Sequence, residues 1–230
     1  MPRLFISRDL ESDSIFKKQL ANANIEIISQ SLIQFSSLPI DSIPETDWVF
    51  FYSKKGVEFF FHSSTTQSFL KKLASQNRTI KWAVIGKGTA KALEKFNTQA
   101  DFIGKGNPYD TAQAFKNIAS GQKVLFARAL HSQKSVQSLL SQDVEIFDIV
   151  AYKNSSKTNI NLPFCKYLVF TSPLNATAYF KKYTFQEGQK LIAIGATTAK
   201  SLSELGFSDI VIAETPSESA LAKAVLQVMD

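Results

Sequence analysis

The stretch KLIAIGATTAKSLSELGF at residues 190–207 decides the reading of this chain, because KWAVIGKGTAKALEKFN at 81–97 repeats it. In both, a short apolar run meets a glycine and a Thr-Ala-Lys follows. A helical pattern then runs on to Gly206 or to Asn97. Gly and Asn both tolerate the left-handed backbone that ends a helix. Gly86 and Gly195 stand 109 positions apart, as do Thr89 and Thr198. Runs such as WAVIG and LIAIG are apolar throughout, as strands buried on both faces are. Each copy therefore reads as strand, tight turn and helix.

The repeat extends outward. A further strand follows each stop, in ADFIG and SDIVIA, and a helix opening with Pro and an acidic residue comes next. In TPSESALAKAVLQVM the spacing predicts Thr215 as N-cap, Pro216 in the first turn and Glu218 closing a capping box. The earlier helix, in NPYDTAQAFKNIASG, stops at Gly121. Upstream, DWVFFYSKKGVEFFF (47–61) aligns with KYLVFTSPLNATAYF (166–180), with Ser53 and Ser172 each ending a strand where a helix begins. A third pair of strands runs into Arg8 and Arg128.

Alternation of strands and helices, twice over, predicts an α/β protein made of two doubly wound parallel-sheet domains by internal duplication. Copy one spans 1–104 and copy two 122–214. Two Ser/Pro/Asn-rich stretches, FSSLPIDSIPET (35–46) and KNSSKTNINLPF (153–164), fall at corresponding places. They predict a discontinuous domain of 1–34 plus 165–230 and an inserted domain of 39–150. Residues 35–38 and 151–164 form a two-stranded linker.

Lys and Arg number 26 against 20 acidic residues, a modest excess that favours anionic partners. No dense basic block or Gly-aromatic motif marks a nucleic-acid binder. The single cysteine, Cys165, excludes a disulfide within the chain. His62 and His131 have no partners at metal-ligand spacing, so no metal is expected. No apolar run approaches the ~20 residues needed to span a bilayer. The chain opens directly on a strand pattern, without a signal peptide, so a cytoplasmic protein is expected.

Each device sets Gly and small hydroxyl residues where a strand ends and a helix begins. Open α/β sheets bind ligands at that edge, and helix N-termini favour anions. Gly86 and Gly195 would let a ligand approach the backbone; Ser53, Thr89, Ser172, Thr197 and Thr198 offer hydroxyls. The plainer alternative is that Ser and Thr merely cap their helices. GKGTAK and GATTAK lack the glycines of a dinucleotide loop, and neither is a Walker loop. Tyr152, in FDIVAYKN, is either a proton donor or a packing residue with a wet hydroxyl. Arg8 is either a carboxylate ligand or an ordinary surface arginine.

The motifs FTSPLNATAYF (170–180), AIGATTAKSLSELGF (193–207) and ETPSESALAKAV (214–225), with VIGKGTAKALEKF and VAYKN, resemble the uroporphyrinogen-III synthase family. The resemblance covers nearly the whole chain. It implies two α/β domains on a two-stranded linker with the active site in the cleft, and a cofactor-free lyase acting as a monomer. Such an enzyme closes the linear tetrapyrrole hydroxymethylbilane, with loss of water and inversion of ring D, to uroporphyrinogen III. It implies Tyr152 as the residue that assists departure of the hydroxyl. Arg8, Ser53, Gly86, Thr89, Ser172, Gly195, Thr197 and Thr198 become candidates for holding a substrate with eight carboxylates. No nucleic acid or membrane is implied, and a transient encounter with hydroxymethylbilane synthase is compatible with it. The rival readings are a non-catalytic α/β module for a small anionic metabolite and a nucleotide enzyme with a degenerate loop.

Overall fold

The structure is a computed structural model that describes residues 1–229. The first copy begins with β1 (Arg3–Ile6), α1 (Ile15–Gln19), β2 (Glu26–Ser29) and β3 (Ile33–Ser37). It continues through β4 (Trp48–Phe51), α2 (Lys54–His62), α3 (Ser64–Ser75), β5 (Lys81–Val84), α4 (Lys87–Glu94), β6 (Phe102–Ile103) and α5 (Pro108–Ala119). The second begins with β7 (Lys123–Ala129), a 3-10 turn at Gln137–Leu139 and β8 (Glu145–Ser156). It ends with β9 (Tyr167–Phe170), α6 (Pro173–Phe180), β10 (Lys190–Ala193), α7 (Ala196–Glu204), β11 (Ile210–Ile212) and α8 (Glu218–Gln227).

The chain divides into two compact units, one of residues 1–34 with 155–230 and one of 35–154. The first holds a five-stranded sheet in the order β11-β10-β9-β1-β2; the second sheet runs β3-β8-β7-β4-β5-β6. The pairs joining β1, β2, β9, β10 and β11, and the pairs β8–β7, β7–β4, β4–β5 and β5–β6, are parallel. Leaving out β3, the two orders match strand for strand. The mixed α/β architecture with two parallel-dominated sheets is thus the one the duplicated pattern predicts.

Each sheet carries a core on both faces because its central strands are apolar at every position. Trp48, Val49, Phe50 and Phe51 of β4 are all buried. Side chains alternate across a strand, so Phe50 meets Phe115 of α5 with ring centroids 5.4 Å apart, while Phe51 meets Phe60 of α2 at 5.3 Å. In the first unit, Phe170 of β9 packs on Tyr179 of α6 (5.4 Å), whereas Val169 joins Leu221 and Val225 of α8 on the opposite face. Truncating any of these Phe rings to Ala would cost about 3–5 kcal/mol.

Two local expectations change. Helix α8 starts at Glu218 with Ser217, not Thr215, as N-cap: the Ala220 N–H donates to Ser217 Oγ at 3.2 Å. Glu218 closes no capping box. Its carboxylate accepts from Ser14 Oγ (2.8 Å) and from the Phe16 N–H (3.3 Å), serving the start of α1, a helix of five residues. The second change is α3, which has no counterpart in the other copy. The offset between copies is 119 at Ser53 and Ser172 but 109 at Gly86 and Gly195. Helix α3 occupies the insertion that makes the difference. The predicted helix stops hold, with Asn97 at φ 52° and Gly206 at φ 96°.

Candidate active site

In each sheet the strand order reverses at one place, between β1 and β9 in the first unit and between β7 and β4 in the second. The helices after the two strands leave to opposite faces there. Helix α1 packs with α8, and α6 with α7. Such a reversal leaves a crevice at the carboxyl ends of the strands, where α/β proteins bind ligands. The candidate residues are best compared at these two points.

In the second unit Ser53 follows β4 and caps α2. Its Oγ accepts the Gly56 N–H at 3.0 Å, and the Tyr152 hydroxyl lies 2.9 Å away. Tyr152 is 6% exposed. Its ring stacks on Phe59 (5.2 Å, 15°) and leans on Phe35 (6.0 Å), and the Lys55 ammonium lies 5.5 Å from the Phe35 centroid and 6.0 Å from that of Phe59. Burial raises the Tyr152 pKa, partly opposed by the Ser53 hydrogen bond and the Lys55 charge. The phenol therefore stays protonated at neutral pH.

A bulge makes this contact. In the β7–β8 ladder Arg128 pairs with Val150 but Ala129 pairs with Tyr152, so two residues of β8 face one of β7. A regular strand would turn Ala151 and Tyr152 to opposite faces. Here both are buried in the cluster formed with Val57, Phe60 and Phe51. Strand β8 continues past Tyr152 to Ser156.

The matching point of the first unit is built differently. Ser172 caps α6, accepting from the Asn175 N–H (3.3 Å) and from Asn175 Nδ2 (2.9 Å). Asn175 Oδ1 accepts from the Leu32 N–H at 2.7 Å, so an amide stands where the second unit places a phenol. Ser7 and Thr171 tie the carboxyl ends of β1 and β9 together, the Thr171 N–H donating to Ser7 Oγ at 2.8 Å. Arg8 is 42% exposed and lies 3.9 Å from Glu218. Its counterpart Arg128 is buried against Asp148, donating from Nε at 2.8 Å and from Nη2 at 3.2 Å. Lys134 adds a second contact to Asp148 at 2.9 Å. Burial opposes ionisation of Asp148, but the bonds from Arg128 and Lys134 outweigh it and hold the carboxyl below its usual range.

The two devices differ in what they leave open. Both glycines are extended, at φ −177° and 176°. A Cβ on Gly86 would stand 3.2 Å from Gly106 Cα, so the close approach made there is by the chain's own backbone. Nothing lies within 4 Å of the same position at Gly195. Thr89 and Thr198 are buried, while Ala196 and Thr197 at the start of α7 are exposed, as are Lys87 and Gly88 at the start of α4. The exposed hydroxyl is thus at Thr197, where the other copy has Gly88. The sequence reading missed the Phe35–Phe59–Lys55 surround of Tyr152. Phe35 lies in a stretch taken as linker, and Phe59 in a run, FFF, that reads as core.

A family model described as uroporphyrinogen-III synthase HemD matches residues 15–223. Among solved structures, the chain is similar to a uroporphyrinogen-III synthetase from Helicobacter pylori, with TM-score 0.73 and 24% identity over 99% of this chain and 100% of that one. It is similar as well to a mutant uroporphyrinogen III synthase from the extremely thermophilic bacterium Thermus thermophilus, with TM-score 0.56 and 11% identity over 99% and 98% of the chains. These likenesses bear on the fold. No curated protein matches the chain.

Proposed function

This chain belongs to the uroporphyrinogen-III synthase family, and from that premise we infer how its residues divide the work. It is a lyase of tetrapyrrole synthesis, and the family's substrate is a tetrapyrrole. The rival reading as a non-catalytic module falls with that assignment. The reaction closes hydroxymethylbilane, inverts ring D and releases water. The hydroxyl leaves to give an azafulvene cation, and ring D attacks that cation through its substituted carbon. A spirocyclic intermediate then fragments and recloses. Orientation carries most of this chemistry, since effective molarities reach ~10⁵ M or more.

The observation that carries the residue assignment is the 2.9 Å contact between Ser53 Oγ and the Tyr152 hydroxyl. Ser53 Oγ accepts one bond from Gly56 N–H. With Tyr152 donating the second, the Ser53 O–H is left to donate outward. As the C–O bond of the hydroxymethyl group breaks, the Ser53 proton passes to the leaving oxygen and the Tyr152 proton passes to Ser53. Water departs. The proton released when the closing pyrrole regains its aromaticity restores the phenol. In the first unit Arg8, Ser172, Gly195 and Thr197 hold carboxylates, and the buried Thr198 shapes the start of α7; in the second unit Gly86 and Thr89 shape the start of α4.

We further propose that the chain works as a cytoplasmic monomer that receives its unstable substrate in transient encounters with hydroxymethylbilane synthase. No helix among the described residues is long and apolar enough to cross a membrane. The test is to incubate the protein with freshly made hydroxymethylbilane, oxidise, and identify the porphyrin isomer. Type III is expected; type I alone would refute the reading.

A further inference from the structure

Helices α2 and α4 pack side by side on one face of the second sheet, and a groove of about 590 Å³ lies along them. Its rim carries Lys54 and Lys55 from α2 and Lys91 and Lys95 from α4. The floor is apolar: Ala92 and Phe96, with the His62 ring edge-on to Phe96 at 5.3 Å. The one carboxylate in the lining, Glu58, is committed to Lys55 at 2.7 Å. Lys54, Lys91 and Lys95 form no ion pair with any described carboxylate. Lys91 and Lys95 are also four residues apart on one helix, a spacing at which like charges repel. The local charge is therefore uncompensated.

The duplication supplies an internal control. Counting from Ser172, the residues matching Lys54, Lys55 and Glu58 are Pro173, Leu174 and Thr177. Counting from Gly195, those matching Lys91 and Lys95 are Lys200 and Glu204, which approach each other to 3.9 Å as an ordinary i,i+4 pair. The same helices, in the same places on a matching sheet, thus fold without a gathered set of ammonium groups. The fold does not require the cluster, and only the second unit has it.

We propose that the α2–α4 groove binds one acid-bearing pyrrole of the tetrapyrrole, its carboxylate arms on the lysines and its ring on Phe96. The inference rests on the functional reading above, since that reading supplies a ligand made of pyrroles with paired acid arms. The volume lies in the range of small-molecule sites. An apolar floor under a rim of cations suits a planar ring with anionic arms better than a hydrated inorganic ion. Ser53 and Lys54 are adjacent at the start of α2, so the groove begins beside the residues proposed to act on the leaving hydroxyl. It would hold one end of the linear substrate against that point.

The test uses the whole chain and a monopyrrole carrying one acetate and one propionate arm. Binding is followed by titration calorimetry and by the ring resonances of His62 and Phe96. The expected result is salt-sensitive binding that shifts both rings and weakens about tenfold in Lys91→Gln/Lys95→Gln. The charge-matched variant Lys181→Gln/Lys200→Gln, made in the first unit, should bind like the wild type. Succinate should bind more weakly than the pyrrole. Unchanged affinity in Lys91→Gln/Lys95→Gln, unmoved His62 and Phe96 resonances, or equal binding of succinate would each overturn the site. Type III formation by the wild type is measured separately. A protein that makes type III product yet fails the binding test loses this site alone, whereas one that makes only type I loses the functional reading.

Discussion

Removing the Tyr152 hydroxyl isolates one contact. Tyr152→Phe keeps the ring stacked on Phe59 at 5.2 Å and the packing on Phe35. It removes one hydrogen bond, worth about 1 kcal/mol net, from a protein whose total stability is of order 5–15 kcal/mol. The variant should stay folded. General acid assistance contributes ~10²–10⁴-fold, and the hydroxyl also leaves spontaneously, so the lower end applies: about a hundredfold loss of rate. Ser53→Ala removes the N-cap, about 1 kcal/mol, and strands the buried phenol, about 1–3 kcal/mol more. If the two hydroxyls act as one relay, Tyr152→Phe made in the Ser53→Ala background should cost little further rate. The assay is the initial rate of uroporphyrinogen III formation across the four proteins, with urea unfolding in parallel. Full activity in Tyr152→Phe would refute the donor role and leave Tyr152 a packing residue. Losses that multiply in the double variant would refute the relay.

Gly86→Ala should destabilise by about 1–3 kcal/mol, because its Cβ meets Gly106 Cα at 3.2 Å; Gly195→Ala, with nothing near, should cost only the poorer capping of α7, about 1 kcal/mol or less by urea unfolding, so a larger loss of activity in the folded variant reports on ligand approach. Asp148→Asn should lower stability by about 2 kcal/mol, since the largely buried Arg128 keeps its charge and loses its carboxylate, and thermal unfolding checks it. The Glu218 pKa is lowered, chiefly by the Ser14 hydroxyl with burial opposing. Its contribution to stability is therefore present above the unfolded value of about 4.3 and is lost as pH falls through the folded one. Glu218→Gln should flatten stability against pH on that acid side, as read by unfolding at pH 3 to 6.

Why the sheets were legible and the Ser53–Tyr152 contact was not comes down to range. WAVIG and LIAIG are apolar at every position because helices cover both faces, and that pattern is local. Ser53 and Ser172 could be placed at helix starts from their neighbours, and both accept the N–H three residues on. Asn97 and Gly206 showed their left-handed backbones by residue type. The pairing of Ser53 with Tyr152, however, joins residues 99 apart and depends on a bulge that no residue near Ala151 announces. The capping box misled because Thr215 and Glu218 have the right spacing, while Ser217 competes for the cap and α1 takes the carboxylate. Gly86 and Gly195 look alike in sequence, but only the backbone of 104–106, folding back from β6, distinguishes them.

Neither copy of the duplicated sequence builds its own sheet. Strands β1 and β2 belong to the first copy, yet they lie beside β9, β10 and β11 of the second, while β4, β5 and β6 of the first lie beside β7 and β8. Each unit is assembled from part of both copies, which is the organisation of a domain-swapped dimer whose two subunits have been fused head to tail. A fragment cut near Gly121 would carry two pieces of different sheets, each with an open edge where its missing neighbour belongs. Two such half-chains could rebuild the whole only by exchanging strands with one another.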